Sequence, residues 1–158
     1  MRTILAIGLA GVALACHGSG TAIVPSPVDT AAFDGEYELL AEASFSGMRQ
    51  QVASDPDEKH KQIGLQLLER QAEQYSQFTV HHGVIRSGKI LVQELSLISG
   101  VLAGHTWQGK ALWHEDAHDP GDASEVGVRI TLDGDRLEFV MLNEDSSAGD
   151  PVVLQRVK

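Results

Sequence analysis

The sequence has almost no cysteine. Cys16 is the single one in 158 residues, so no internal disulfide can hold the fold. Aromatic residues are scarce, at 5%, which leaves a core built mainly from aliphatic side chains. Basic charge is also short: 12 Lys and Arg stand against 22 Asp and Glu, for a net charge of −10. A chain this acidic lacks the positive footprint that phosphate backbones require, which excludes nucleic acid as a partner. Anionic membrane surfaces repel it as well, so any attachment to a membrane must come from something other than charge. No uncharged apolar run reaches the roughly 20 residues of a membrane-spanning helix. The run from Ile4 to Leu14 is the candidate and falls well short. There is no G-x-S-x-G nucleophile elbow and no glycine-rich phosphate loop, so two large enzyme classes leave no trace.

What is present begins with an address. "MRTILAIGLAGVALAC" has one early positive charge, Arg2, then the apolar run, then small residues before Cys16. That is the layout of an export signal. Ala13-Leu14-Ala15-Cys16 resembles the lipobox of bacterial lipoproteins. The resemblance implies cleavage before Cys16, a covalent lipid on Cys16 (palmitate and diacylglycerol) and a membrane anchor. The commonest form of the motif has Leu where Ala13 stands. His17, rather than Asp, follows the cysteine, which in Gram-negative lipoproteins implies the outer membrane, facing the periplasm or the surface. The next stretch, "HGSGTAIVPSPVDTAA", is rich in Gly, Ser, Pro and Ala and reads as a flexible tether. The expected organisation is a signal over 1–15, a tether over 16–32 and one folded domain over 33–158.

Within that domain "FDGEYEL" alternates, with Phe33, Gly35, Tyr37 and Leu39 on one face, which predicts a strand. "ASFSGMRQQVAS" suits a short helix. "DPDEKHKQIGLQLLERQAEQYSQ" predicts the main helix, with Asp55 as its cap, Pro56 at its first position and Glu58 completing a capping box. Ile63, Leu67, Leu68, Ala72 and Tyr75 form its apolar stripe, which predicts packing on a sheet. From Phe78 onward short strands alternate around glycine turns. In the clearest hairpin Val126, Val128, Ile130 and Leu132 share a face, Asp133-Gly134-Asp135 turns the chain, and Leu137, Phe139 and Met141 return. A last strand follows Pro151. The expected fold is mainly β (α+β): a small antiparallel barrel or curled meander sheet, with one or two helices inserted after the first strand.

Three short motifs carry a resemblance to small bacterial envelope proteins with a lipocalin-like barrel. They are Gly35-Glu36-Tyr37-Glu38-Leu39 in the first strand, Gly104-His105-Thr106-Trp107-Gln108-Gly109 later, and, more loosely, the closing Asp150-Pro151-Val152-Val153-Leu154-Gln155-Arg156. The resemblance implies the barrel, and it leaves function open, because folds host many functions.

His114-Glu115-Asp116-Ala117-His118 spells H-E-x-x-H, the zinc signature of metalloproteases. Shared zinc ligation by residues i and i+4 needs a helix, where they are about 6 Å apart; on a strand they lie about 13 Å apart. Gly109 upstream and Asp119-Pro120-Gly121 downstream leave little room for such a helix. The expected structure is a strand running into an acidic turn, with no catalytic residue and no enzyme activity. A looser metal site in that loop is the alternative, from His114, Glu115, Asp116, His118, Asp119 and Asp122, which would bind a divalent cation. Trp107, Trp113 and Tyr37 are the candidates for lining an apolar ligand pocket. The expected function is a lipid-anchored cell-envelope protein acting as a non-enzymatic binding or scaffolding module with an envelope protein partner. The alternatives are a carrier of a small apolar ligand and the loop metal site.

Overall fold

The structure, a computed structural model, describes residues 30–119, 121–143 and 147–157. The expected signal segment, Cys16 and the tether up to residue 29 lie outside the described residues. A 3-10 turn at Ala31–Phe33 leads into strand β1, Gly35–Leu39. Helices α1 (Ala41–Ser44), α2 (Ser46–Ala53) and α3 (Glu58–Gln74) follow. Then come β2 (Gln77–His81), β3 (Val84–Ser87), β4 (Gln93–Ala103), β5 (Thr106–His114), β6 (Ala123–Asp133), β7 (Arg136–Leu142) and β8 (Val152–Arg156). Among the described residues these eight antiparallel strands close into a barrel in sequence order. The closing seam pairs β1 with β8, setting Tyr37 opposite Arg156 and Leu39 opposite Leu154. The mainly β barrel expected from the alternation is therefore the observed fold, with three helices inserted after β1.

The up-and-down order gives the barrel two different ends. At one, strands are joined by two-residue turns: His82-Gly83, Gly104-His105 and Gly134-Asp135. At the other lie the long connections, including all three helices, the loop over residues 88–92 and the loop residues 115–119 and 121–122. Inward-pointing side chains fill the interior, as expected for eight strands. Tyr37, Leu95, Trp107, Ala111, Val128, Ile130, Leu137 and Leu154 are almost completely buried. The face read from the hairpin sequence is the inner one: Val128, Ile130, Leu137 and Phe139 are buried, with Val126, Leu132 and Met141 packed against them.

Trp107 requires a special accommodation. It is 0% exposed, and its indole lies across Gly100, where an added Cβ would sit 2.5 Å from Trp107 Cε2. Gly100 pairs with Gly109 just past an irregularity between Leu97 and Ser99. A Cβ on Gly109 would collide with the Ser99 carbonyl oxygen. Two opposed glycines thus let β4 and β5 approach closely and leave the ring room to lie flat.

Two expectations about α3 are corrected. Its N-cap is Asp57 rather than Asp55, and the Asp57 carboxylate accepts the N–H groups of Lys59 at 2.8 Å and His60 at 3.4 Å. Asp55 instead accepts the Asp57 N–H across Pro56 at 2.8 Å. Pro56 disfavours helical geometry at Asp55, so the helix starts later and Glu58 falls at its first position instead of the third. The stripe also lies on the sheet only at its end, where Tyr75 packs against the barrel core. Only Leu68 of α3 is buried, while Ile63, Leu65 and Leu67 remain exposed, Leu67 at 55%. The helix packs on α2, where Gly64 brings the backbone against Val52, whose Cγ atoms would lie 2.8 and 2.9 Å from an added Cβ. Phe33 lies in the 3-10 turn rather than on β1, yet is buried all the same.

Candidate functional site

The end carrying the long connections is incompletely filled. Beneath α1 and the end of α3 lies a cavity of about 140 Å³. Its walls include Leu39 from β1, Phe45 between α1 and α2, Tyr75, Trp113 from β5, Met141 from β7 and Val152 from β8. Phe78, Ile85, Leu95 and Phe139 form its floor, shared with the packed core. Polar groups are few: Ser44, Ser87 and Gln93. Ser44 is already engaged, because its Oγ accepts the Val153 N–H at 2.9 Å and fixes α1 against β8. The cavity is therefore apolar with a small polar margin, the usual make-up of a pocket for a small organic ligand.

The rim is held by polar clamps. The Leu40 N–H donates to the Val153 carbonyl at 2.8 Å, and the Lys89 N–H donates to the Gln74 carbonyl at 3.1 Å. With its amide oriented to satisfy both groups, the Gln74 side chain accepts from Ile90 N at 3.1 Å and Leu91 N at 3.0 Å. These bonds tie α3 to the 88–92 loop, whose Ile90 is nonetheless 89% exposed. Tyr75 borders the cavity, and burial raises its hydroxyl above the ordinary tyrosine value, reinforced by the negative charge of Glu115. Nearby Glu94 is also shifted: burial opposes its ionisation, but hydrogen bonds from Arg86 at 2.7 Å and Ser96 at 2.9 Å outweigh this and hold it below the usual carboxylate range.

The sequence candidates divide. Of the three proposed pocket residues, Trp113 lines the cavity. Trp107 and Tyr37 belong to the packed core. The Tyr37 hydroxyl donates to the Phe33 carbonyl at 2.7 Å and accepts from the Arg156 guanidinium at 2.7 and 3.2 Å. Burial raises Tyr37 above the ordinary value, and Arg156 works against that shift.

In the H-E-x-x-H segment, His114 ends β5 and residues 115–118 form bends and a turn, so the motif is not on a helix. Its carboxylates serve the loop backbone. Asp122 Oδ2 accepts the Asp116 N–H at 3.1 Å, Asp116 Oδ1 accepts the His118 N–H at 2.9 Å, and Asp119 Oδ1 accepts the Gly121 N–H at 2.9 Å. Among the described residues, the 114–122 loop does not bring three metal-ligating atoms together. Sequence reasoning missed one group that does converge, Asp34 with His81 and His82, at the opposite end of the barrel. Its signal was an Asp flanking the first strand and a His-His pair where β2 runs into its turn, linked only by the β1–β2 register. Searches of family models, curated proteins and solved structures find no match to this chain.

Proposed function

We propose that this chain is an exported, lipid-anchored envelope protein whose barrel is a non-catalytic binding module for a small apolar ligand. The carrying observation is the apolar cavity of about 140 Å³ under the helices. A cavity of about 150 Å³ lined by aliphatic and aromatic side chains is enough to hold benzene. The ligand would thus be a small ring or the end of an alkyl chain. Ser87 and Gln93 at the margin supply a place for one polar group. Membrane attachment rests on the lipobox resemblance at Cys16, and the acidic domain would stand clear of an anionic surface on its tether.

Benzene, followed by NMR, is the direct probe. Saturable shifts at Leu39, Trp113, Met141 and Val152, abolished in Val152→Phe, are expected. Shifts scattered over the surface, or none, refute the pocket reading. Palmitate labelling that persists in Cys16→Ser refutes the anchor.

A scaffolding role with an envelope protein partner is a second reading, favoured by the exposed Ile63, Leu65 and Leu67 on α3. It predicts crosslinks at α3 that Leu67→Glu abolishes while the benzene shifts persist.

A further inference from the structure

The group formed by Asp34, His81 and His82 lies at the tight-turn end of the barrel, away from the apolar cavity. The β1–β2 ladder pairs Gly35 with Val80, so one step outward the chain sets Asp34 facing His81. His82 and Gly83 then make a two-residue turn with φ of 49° and 78°. Left-handed geometry is unusual for a residue with a side chain, and here it brings the His82 ring over that of His81, with centroids 3.9 Å apart. The Asp34 carboxylate divides its two oxygens. Oδ1 accepts the His82 backbone N–H at 3.0 Å, which fixes the carboxylate. Oδ2 faces Nδ1 of His81 at 3.5 Å and Nδ1 of His82 at 3.9 Å. Arg156 directs its guanidinium to the carbonyls of Ala32 and Asp34 and to the Tyr37 hydroxyl, which leaves the Asp34 side chain to the histidines.

We propose that Asp34, His81 and His82 form a binding site for a borderline divalent cation, zinc(II) or copper(II). Three ligand atoms, two imidazole nitrogens and one carboxylate oxygen, lie within 4.8 Å of one another. Donors at about 2.0–2.2 Å around tetrahedral zinc are separated by about 3.3–3.6 Å, so small side-chain rotations suffice to close the site. The two imidazoles favour zinc or copper over calcium and magnesium, which prefer all-oxygen shells. The hydrogen bond from the His82 N–H acts as an outer-shell support that orients the carboxylate before metal arrives. Both imidazoles are largely exposed, at 75% and 80% of the side chain, so the remaining coordination positions are open to water or to a donor from another molecule. The site does not depend on the apolar pocket.

The test is calorimetric titration of the purified full chain with zinc chloride, and of Asp34→Asn, His81→Ala and His60→Ala. His60 is the comparison because its Nδ1 faces Asp55 and Asp57 at 3.8 and 3.9 Å in a similar His–carboxylate group. One equivalent should bind, about tenfold or more weakly in Asp34→Asn and His81→Ala and unchanged in His60→Ala. His82→Asn, which keeps a residue tolerant of the left-handed turn, should show the same loss and serves if another variant misfolds. Copper(II) electron paramagnetic resonance of the parent should show two nitrogen couplings. Affinity unchanged in Asp34→Asn and His81→Ala, or no saturable heat in the parent, overturns the proposal.

Discussion

Replacing Gly109 by Ala should destabilise the barrel far more than one methyl group ordinarily does. An added Cβ would lie 2.5 Å from Gly100 Cα and closer still to the Ser99 carbonyl oxygen, so β4 and β5 must separate by roughly 1 Å to restore ordinary contact. Both obstacles are backbone atoms in a paired ladder, and neither can rotate away. Overpacking of this kind costs about 1–3 kcal/mol, and a rigid backbone clash belongs at the upper end. The substitution also restricts the unfolded chain, which offsets about 0.4–1 kcal/mol. The net expectation is a loss of about 2 kcal/mol, or a fall of roughly 6–10 °C in Tm for a domain of this size. Because Trp107 lies across the partner Gly100, its fluorescence should shift with the strands. The comparison is Gly121→Ala, in a loop, where an added Cβ would approach a side-chain atom, Asp119 Oδ1 at 3.2 Å, rather than the backbone of a paired strand; it should stay within about 0.5 kcal/mol of the parent. Chemical denaturation of both variants decides the matter. If Gly109→Ala is as stable as Gly121→Ala, the close approach of β4 and β5 at this pair is not real.

Two further outcomes follow from titratable groups. Tyr37→Phe removes a buried hydroxyl that joins Phe33 to Arg156, and should cost about 1–3 kcal/mol at pH 7 by guanidinium unfolding. Since burial raises Tyr37 in the fold, the unfolded chain ionises first. Its contribution is complete below the unfolded value of about 10 and is lost as pH rises toward the folded value. The gap between parent and variant should therefore narrow in alkali, and a gap that widens above pH 10 contradicts the assignment. The Asp57 carboxylate is held below its ordinary range by the N–H groups of Lys59 and His60, so its capping persists at neutral pH and is lost as pH falls through the depressed value. Asp57→Ala should speed amide exchange in the first turn of α3 severalfold while leaving the barrel amides unchanged; equal effects in both would refute local capping.

Much of the barrel could be read from alternation, because a strand with one face on a core repeats every two residues and each of these strands has such a face. Val126 to Leu132 and Leu137 to Met141 needed no distant information. The helix was read correctly in type and wrongly in setting. Asp55-Pro56-Asp57 offers two caps, and the choice turns on the backbone restriction that Pro56 imposes on its predecessor. The apolar stripe from Ile63 to Tyr75 announces a helix with something to cover, but the sequence does not say that Gly64 would bring it onto α2 and leave Leu67 in solvent. The candidate sites were harder still. Trp113 and Trp107 lie on the same inner face of β5, yet one borders a cavity and the other is entombed, a difference set by where the helices end. Asp34 and His81 are neighbours only through the ladder, so no local pattern relates them.

The seam between β1 and β8 has a consequence in time. Every other strand pairs with its neighbour in sequence and can form its ladder as soon as both have emerged. The seam unites Tyr37 with Arg156, and Arg156 also anchors the 3-10 turn through the Ala32 carbonyl. Until β8 is available the sheet has two unpaired edges, each a template for another chain. A chain lacking β8 would thus be an adhesive open sheet, and Val152–Arg156 convert it into a closed surface.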